Sequence, residues 1–155
     1  MQDVTLKFLA DVPDCIPLLA QWLYDEFHYL IPGKTVEYVI ESLHTRINVN
    51  KLPLCMVAFQ NNEPCGTVSI KISDMDIREY LSPWLASLYV SKTHRSSGIG
   101  TYLVKSIQDV CRQLNNHEMF LYTPNAELFY SRLGWKQLEK VSYRNTDVTI
   151  LRREL

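Results

Sequence analysis

Apolar and polar residues alternate across Val4, Leu6 and Phe8, the period of a half-buried strand. The period then lengthens. Ile16, Leu19, Trp22, Leu23 and Phe27 recur on one helical face and predict a helix over residues 13–27, capped by Asp11 or Asp14. Pro13 and Pro17 fit it only because they fall early. After a break at Pro32-Gly33, Thr35 is the expected cap of a second helix over residues 36–48, with Val39, Ile40, Leu43 and Ile47 inward. Residues 54–60 and 65–73 are strand-like runs around Asn61-Asn62-Glu63-Pro64, a hairpin pattern.

Residues 74–83 have no period. They carry Asp74, Asp76 and Glu79 beside Arg78, either a solvated acidic loop or an acidic lip beside a binding site. A strand over residues 85–90 leads into a polar, glycine-bearing loop. Then Leu103, Val104, Ile107, Val110, Cys111 and Leu114 mark one face of a long helix. Met119-Phe120-Leu121-Tyr122 is a continuous apolar run, as in a strand covered on both faces. Thr123-Pro124 reads as cap and first residue of a short helix over 125–133 that Gly134 ends. Residues 135–143 and 147–151 are final strands around an Asn145-Thr146 turn. The second half is therefore a right-handed crossover unit with a tail. No linker or repeat divides the chain, so residues 1–155 are expected to form a single domain.

Composition removes several function classes. A net charge of −1 argues against a dedicated nucleic-acid binder. No apolar run is long enough to span a membrane, and the start of the chain does not open a signal peptide. Cys15, Cys55, Cys65 and Cys111 lie far apart, which reads as reduced core thiols of a cytoplasmic protein. His28, His44, His94 and His117 lack metal-ligand spacing, so no metal is expected.

The chemistry concentrates in Leu88-Tyr89-Val90 and the loop Arg95-Ser96-Ser97-Gly98-Ile99-Gly100-Thr101. A helix start leaves N–H groups without intrahelical partners and carries partial positive charge. Glycines there admit a phosphate or pyrophosphate, or else merely soften the helix start. A Walker-type loop needs Lys-Ser or Lys-Thr after the second glycine, but Thr101-Tyr102 follows Gly100. A dinucleotide fingerprint needs a small residue where Leu103 stands.

Arg-x-x-Gly-x-Gly behind a Leu-x-Val strand resembles the acetyl-CoA loop of the GNAT superfamily of N-acetyltransferases. Ala126-Glu127-Leu128-Phe129-Tyr130-Ser131-Arg132-Leu133-Gly134-Trp135 is similar to the later motif of that family, and Ser82-Pro83-Trp84-Leu85-Ala86 to the approach to its CoA strand. Ser96 stands where many relatives have glycine, and Thr123 where many have asparagine. The resemblance covers roughly residues 82–155.

It implies an α/β (α+β) fold: a mixed, mostly antiparallel sheet flanked by helices, its fourth and fifth strands splayed apart. It implies acetyl-CoA as co-substrate, the pyrophosphate on Arg95–Thr101 and the pantetheine arm along Leu88, Tyr89 and Val90. Tyr130 would protonate the leaving sulfur, unless it only packs the helix beside Phe129. The expected reaction is direct attack by a primary amine, small-molecule or peptide, on the thioester. A non-catalytic acyl-CoA sensor of the same fold is the alternative. A lysine-like amine is almost wholly protonated at neutral pH and needs a proton acceptor. Asp74, Asp76, Glu79 or water could serve, while Ser87 and Tyr89 could line the acceptor channel. Acceptor identity and self-association into a homodimer stay open.

Overall fold

The computed structural model describes residues 3–155. Strand β1 (Val4–Phe8) is followed by a 3₁₀ turn over Pro13–Cys15 and helix α1 (Ile16–Phe27). The helix thus begins later than its periodicity predicts, and neither Asp11 nor Asp14 caps it; Cys15 occupies the cap without a side-chain bond. Pro17 in the first turn has no N–H, which removes one of the groups a cap would satisfy. Helix α2 (Val36–His44) starts at Thr35, whose hydroxyl accepts from the Tyr38 N–H at 3.3 Å. It stops earlier than expected, and Ile47 lies exposed beyond it.

Strands β2 (Leu54–Gln60) and β3 (Glu63–Lys71) join through Asn61 and Asn62, both left-handed at φ 53° and 63°. Asparagine tolerates that conformation, and two such residues close a tight hairpin. Strand β4 (Trp84–Val90), helix α3 (Ile99–Gln113) and strand β5 (Glu118–Thr123) form the crossover. Helix α4 (Glu127–Arg132) is shorter than predicted. Thr123 does not cap it directly, but its hydroxyl accepts from the Asn125 and Ala126 N–H groups and shapes the turn before it. Strands β6 (Lys136–Tyr143) and β7 (Thr146–Glu154) close the chain, turning at Arg144 and Asn145, one residue earlier than expected.

The described residues form a seven-stranded sheet ordered β1-β2-β3-β4-β5-β7-β6. Every neighbouring pair is antiparallel except β4 and β5, which run parallel and meet at Trp84 opposite Phe120. Beyond that bridge they diverge, the expected splay. On its other edge β4 is bulged: pairing jumps from Ala86–Ser69 to Tyr89–Thr67, and Ser87 takes φ 56°. Bulges re-aim side chains and recur beside binding sites.

Alternation along β2 divides the core. Leu54, Met56 and Ala58 face α3, whereas Cys55 and Val57 face α1 and α2. Leu103, Val104, Ile107 and Cys111 of α3 are fully buried, and each aliphatic side chain contributes about 1.5–3 kcal/mol. Gly66 sets how closely α3 approaches. A Cβ there would lie 3.0 Å from both Leu103 Cδ1 and the Tyr89 carbonyl oxygen. A third cluster joins Met75, Trp84, Phe120, Tyr143, Val148 and Ile150 around the lower splay.

Candidate active site

The splay opens into two adjoining cavities. The first, about 550 Å³, lies at the N-terminus of α3. Leu88, Tyr89, Val90, Arg95, Ser96, Gly98, Ile99, Gly100 and Thr101 line it, so all but one of the loop and strand residues singled out from the sequence converge there. The exception is Ser97, whose hydroxyl instead donates to the His94 carbonyl at 2.5 Å. Gly98 is the cap of α3 at φ 87°, and supplies no side chain to the first-turn N–H groups. No acidic residue occupies that turn. Those donors therefore face the cavity without an internal competitor, which suits an anion.

The second cavity, about 480 Å³, lies between α1, α2, the bulge of β4 and the end of β5. Glu26, Leu88, Ala126 and Phe129 line both cavities and mark where they meet. Tyr130, Ser87, Asp74, Asp76 and Glu79 all line the second. Tyr89 does not; its ring packs 5.3 Å from that of Trp22, so it belongs to the first cavity rather than the expected acceptor channel.

Tyr130 is 7% exposed and held edge-on between Phe129 and Trp135. Burial pushes its phenol well above the ordinary tyrosine range, so it stays protonated. Tyr122 is shifted in the same direction, first by burial and then by the charge of Asp74.

The segment carrying the three carboxylates is pinned rather than freely solvated. Met75 is fully buried, and Arg78 makes a two-pronged bond to Glu139 at 2.5 and 3.1 Å. Two of the carboxylates have cationic partners: Asp74 meets Lys71 at 2.9 Å and Asp76 meets Arg144 at 3.6 Å. Arg144 also donates to the Leu30 carbonyl at 3.0 Å, closing the far wall. Asp74 is the more enclosed, its side chain 15% exposed against 65% for Asp76.

Sequence patterning missed Arg46. It follows α2, is 4% exposed, and lines the second cavity. Its Nη1 donates to Ser69 Oγ at 3.0 Å and to Ser87 Oγ at 3.1 Å, and its Nη2 to Ser42 Oγ at 2.8 Å. Its buried Nε has no partner. The signal was faint: single serines within the apolar runs Val68-Ser69-Ile70 and Ala86-Ser87-Leu88.

Cys55, Cys65 and Cys111 are buried and Cys15 partly so, all as free thiols. Among the described residues no cluster of histidine, cysteine or carboxylate side chains is arranged to hold a metal ion, and no helix is long and apolar enough to cross a membrane.

The sequence profile of the acetyltransferase (GNAT) family matches residues 16–135, most of the chain. The chain belongs to the GNAT acetyltransferase family. That membership makes it a transferase enzyme of acetyl groups. The GNAT fold is shared over nearly the full length with solved structures of low sequence identity. An acetyltransferase from Salmonella typhimurium, described with its cofactor acetyl-CoA, has a TM-score of 0.74 at 17% identity, covering 99% of this chain and 95% of the other. An aminoglycoside 6'-N-acetyltransferase complexed with coenzyme A gives 0.74 at 14%, covering 99% and 97%. An acetyltransferase from Streptococcus agalactiae gives 0.73 at 16%, covering 100% of each. None of the curated proteins is similar enough in sequence to serve as a relative.

Proposed function

We propose that this GNAT protein acts as one domain that moves an acetyl group from acetyl-CoA to a primary amine by direct attack. The observation that carries this is the junction of the two cavities, with an uncapped helix N-terminus on one side and Tyr130 and Asp74 on the other. Acetyl-CoA, when bound, supplies an activated thioester. The first-turn N–H groups of α3 and Arg95 bind its pyrophosphate, and the divergent edge of β4 at Leu88 and Val90 guides the pantetheine toward the junction. Backbone N–H groups at the bulge polarise the thioester carbonyl.

The amine enters through the second cavity, and its nitrogen bonds to the carbonyl carbon as the carbon–sulfur bond breaks. Asp74, the most enclosed of the candidate carboxylates, takes the amine proton through water. Tyr130 attends the departing sulfur. Its phenol is a weaker acid than a thiol, so full proton transfer to the thiolate runs uphill. The hydroxyl therefore stabilises the thiolate chiefly by donating a hydrogen bond. The cysteines take no part, in keeping with reduced thiols of a cytoplasmic enzyme.

The test is thiol release from acetyl-CoA in the presence of a panel of primary amines. Amine-dependent, saturable release is expected. Tight CoA binding without turnover of any amine would replace this reading with a non-catalytic acyl-CoA sensor.

A further inference from the structure

Arg46 poses a problem of charge balance. A guanidinium is protonated at any physiological pH, and burying one without an anionic partner is costly. Among the described residues no carboxylate forms an ion pair with it. Of the acidic groups that act on it, Cys55 is a buried thiol whose pKa burial raises, and the carboxylate of Asp74 is bound to Lys71 at 2.9 Å. Instead Arg46 is held by hydroxyls, which steady it without neutralising it.

Those hydroxyls add to the effect. Ser42 and Ser87 line the cavity beside Arg46 and accept from it, so each keeps its own proton to donate. Together with the guanidinium charge of Arg46, this wall offers donors and positive charge. It matches an anion and not the ammonium group of a polyamine. Of the four acidic residues of the same cavity, Asp74 and Asp76 are paired with cations and Glu26 lies 3.8 Å from Arg95, while Glu79 is exposed and forms no ion pair with Arg46.

Position narrows the ligand. Arg46 touches the side chain of Ser87, the bulged residue immediately before Leu88, where the two cavities meet. Adjacent residues are about 3.8 Å apart along the backbone. An anion on Arg46 is therefore separated from the acetyl-transfer point by only a few bonds of ligand. The cavity volume, about 480 Å³, is that of a small-molecule site.

We infer that the acceptor is an amine that also carries a carboxylate, an α-amino acid or a close analogue, with Arg46 receiving the carboxylate and Ser42 and Ser87 donating to it. This rests on the acetyl-transfer reading for the identity of the reacting group, but not for the presence of the carboxylate site. Arg46 is a specificity-determining residue in this scheme, apart from the bond-making groups.

The experiment compares the proteinogenic L-amino acids, their primary amides, unbranched diamines and aminoglycosides on the intact protein. Thiol release and the ligand-induced shift in melting temperature are read in parallel. Selected amino acids should exceed their own amides by at least about 100-fold in kcat/KM, short of the roughly 10⁴- to 10⁵-fold by which a polar site rejects a ligand lacking its partner, because the amide keeps one carbonyl oxygen. They should also raise the melting temperature where the amides do not. Arg46→Met should erase the preference, and Arg46→Lys should restore part of it. Should the buried Arg46 variants fail to fold, Ser42→Ala on the partly buried edge of α2 should still raise KM for the amino acids by a larger factor than for the amides. Amides, diamines or aminoglycosides turned over as well as amino acids would overturn the carboxylate site and leave acetyl transfer standing. Selective stabilisation by amino acids without any thiol release would do the reverse. No discrimination in either readout would overturn the carboxylate site outright.

Discussion

Arg95 is folded back over Tyr89: its guanidinium carbon lies 5.2 Å from the ring centroid, and its Nε donates to the Val90 carbonyl at 2.9 Å. Glu26 approaches the same guanidinium at 3.8 Å. The side chain is 43% exposed, so these contacts orient it more than they stabilise the fold. Arg95→Ala should weaken acetyl-CoA binding about tenfold, roughly 1.4 kcal/mol, and lower its salt dependence. Calorimetric titrations at low and high ionic strength check both. Unchanged affinity would remove Arg95 from the pyrophosphate site.

Gly98 permits a matched control. A side chain there meets no protein atom within 4 Å, but the backbone at φ 87° disfavours a β-branched residue by about 1–2 kcal/mol. Gly33, at φ 78° with equally open surroundings, belongs to a loop that does not line the first cavity. Gly98→Val and Gly33→Val should therefore lose similar stability. Only Gly98→Val should raise the dissociation constant for acetyl-CoA, by at least about tenfold. Equal affinities in the two variants would mean that the glycine serves the turn alone.

Tyr130→Phe removes the hydroxyl and keeps the ring against Phe129 and Trp135. A positioned proton donor contributes about 10²- to 10⁴-fold. Because the Tyr130 phenol is the weaker acid, the low end is expected, a fall in kcat of about 100-fold. Acetyl-CoA affinity and melting temperature should stay near wild type. Turnover within about threefold of wild type would leave Tyr130 as packing.

Burial raises the pKa of each cysteine, and that of Cys111 reaches about 11. An acid whose folded pKa is raised binds its proton longer in the native state than in the unfolded chain. Stability is then full below the unfolded value, near 9, and falls as pH climbs toward 11. Denaturant midpoints should drop between those values, less steeply in Cys111→Ala once its baseline is matched. The same protonated thiols are poor nucleophiles. Intact mass after acetyl-CoA alone should show no acetyl-cysteine, and kinetics should be sequential, not ping-pong.

Most of the scaffold was legible because its signals are local. Leu103, Val104, Ile107 and Cys111 declare the buried face of α3 by spacing alone, and Thr35 caps α2 as its side chain dictates. The glycines of the α3 entry could be read the same way. Errors fell where distant residues decide. Arg46 follows α2 among polar neighbours, and the spacing of Ile47 made the helix look longer with its charge outward. What buries Arg46 is Ser69 and Ser87, 23 and 41 residues away. Tyr89, read both as part of the pantetheine strand and as a possible channel wall, lines the first cavity, where a bulge at Ser87 shifts the strand's alternation, and nothing in Ala86-Ser87-Leu88 announces a bulge.

The lone bridge between Trp84 and Phe120 bears on how the molecule comes apart. The sheet is stitched continuously from β1 to β4 and again from β5 to β6, but these two blocks share little backbone pairing. Each block is a natural cooperative unit, and α3, packed on the first, reaches the second through Gln108, which accepts from Trp135 Nε1 at 3.0 Å. A ligand seated in the splay would touch both blocks and couple their opening. Amide exchange in β5 and β7 should then slow on addition of CoA, even at positions remote from any phosphate.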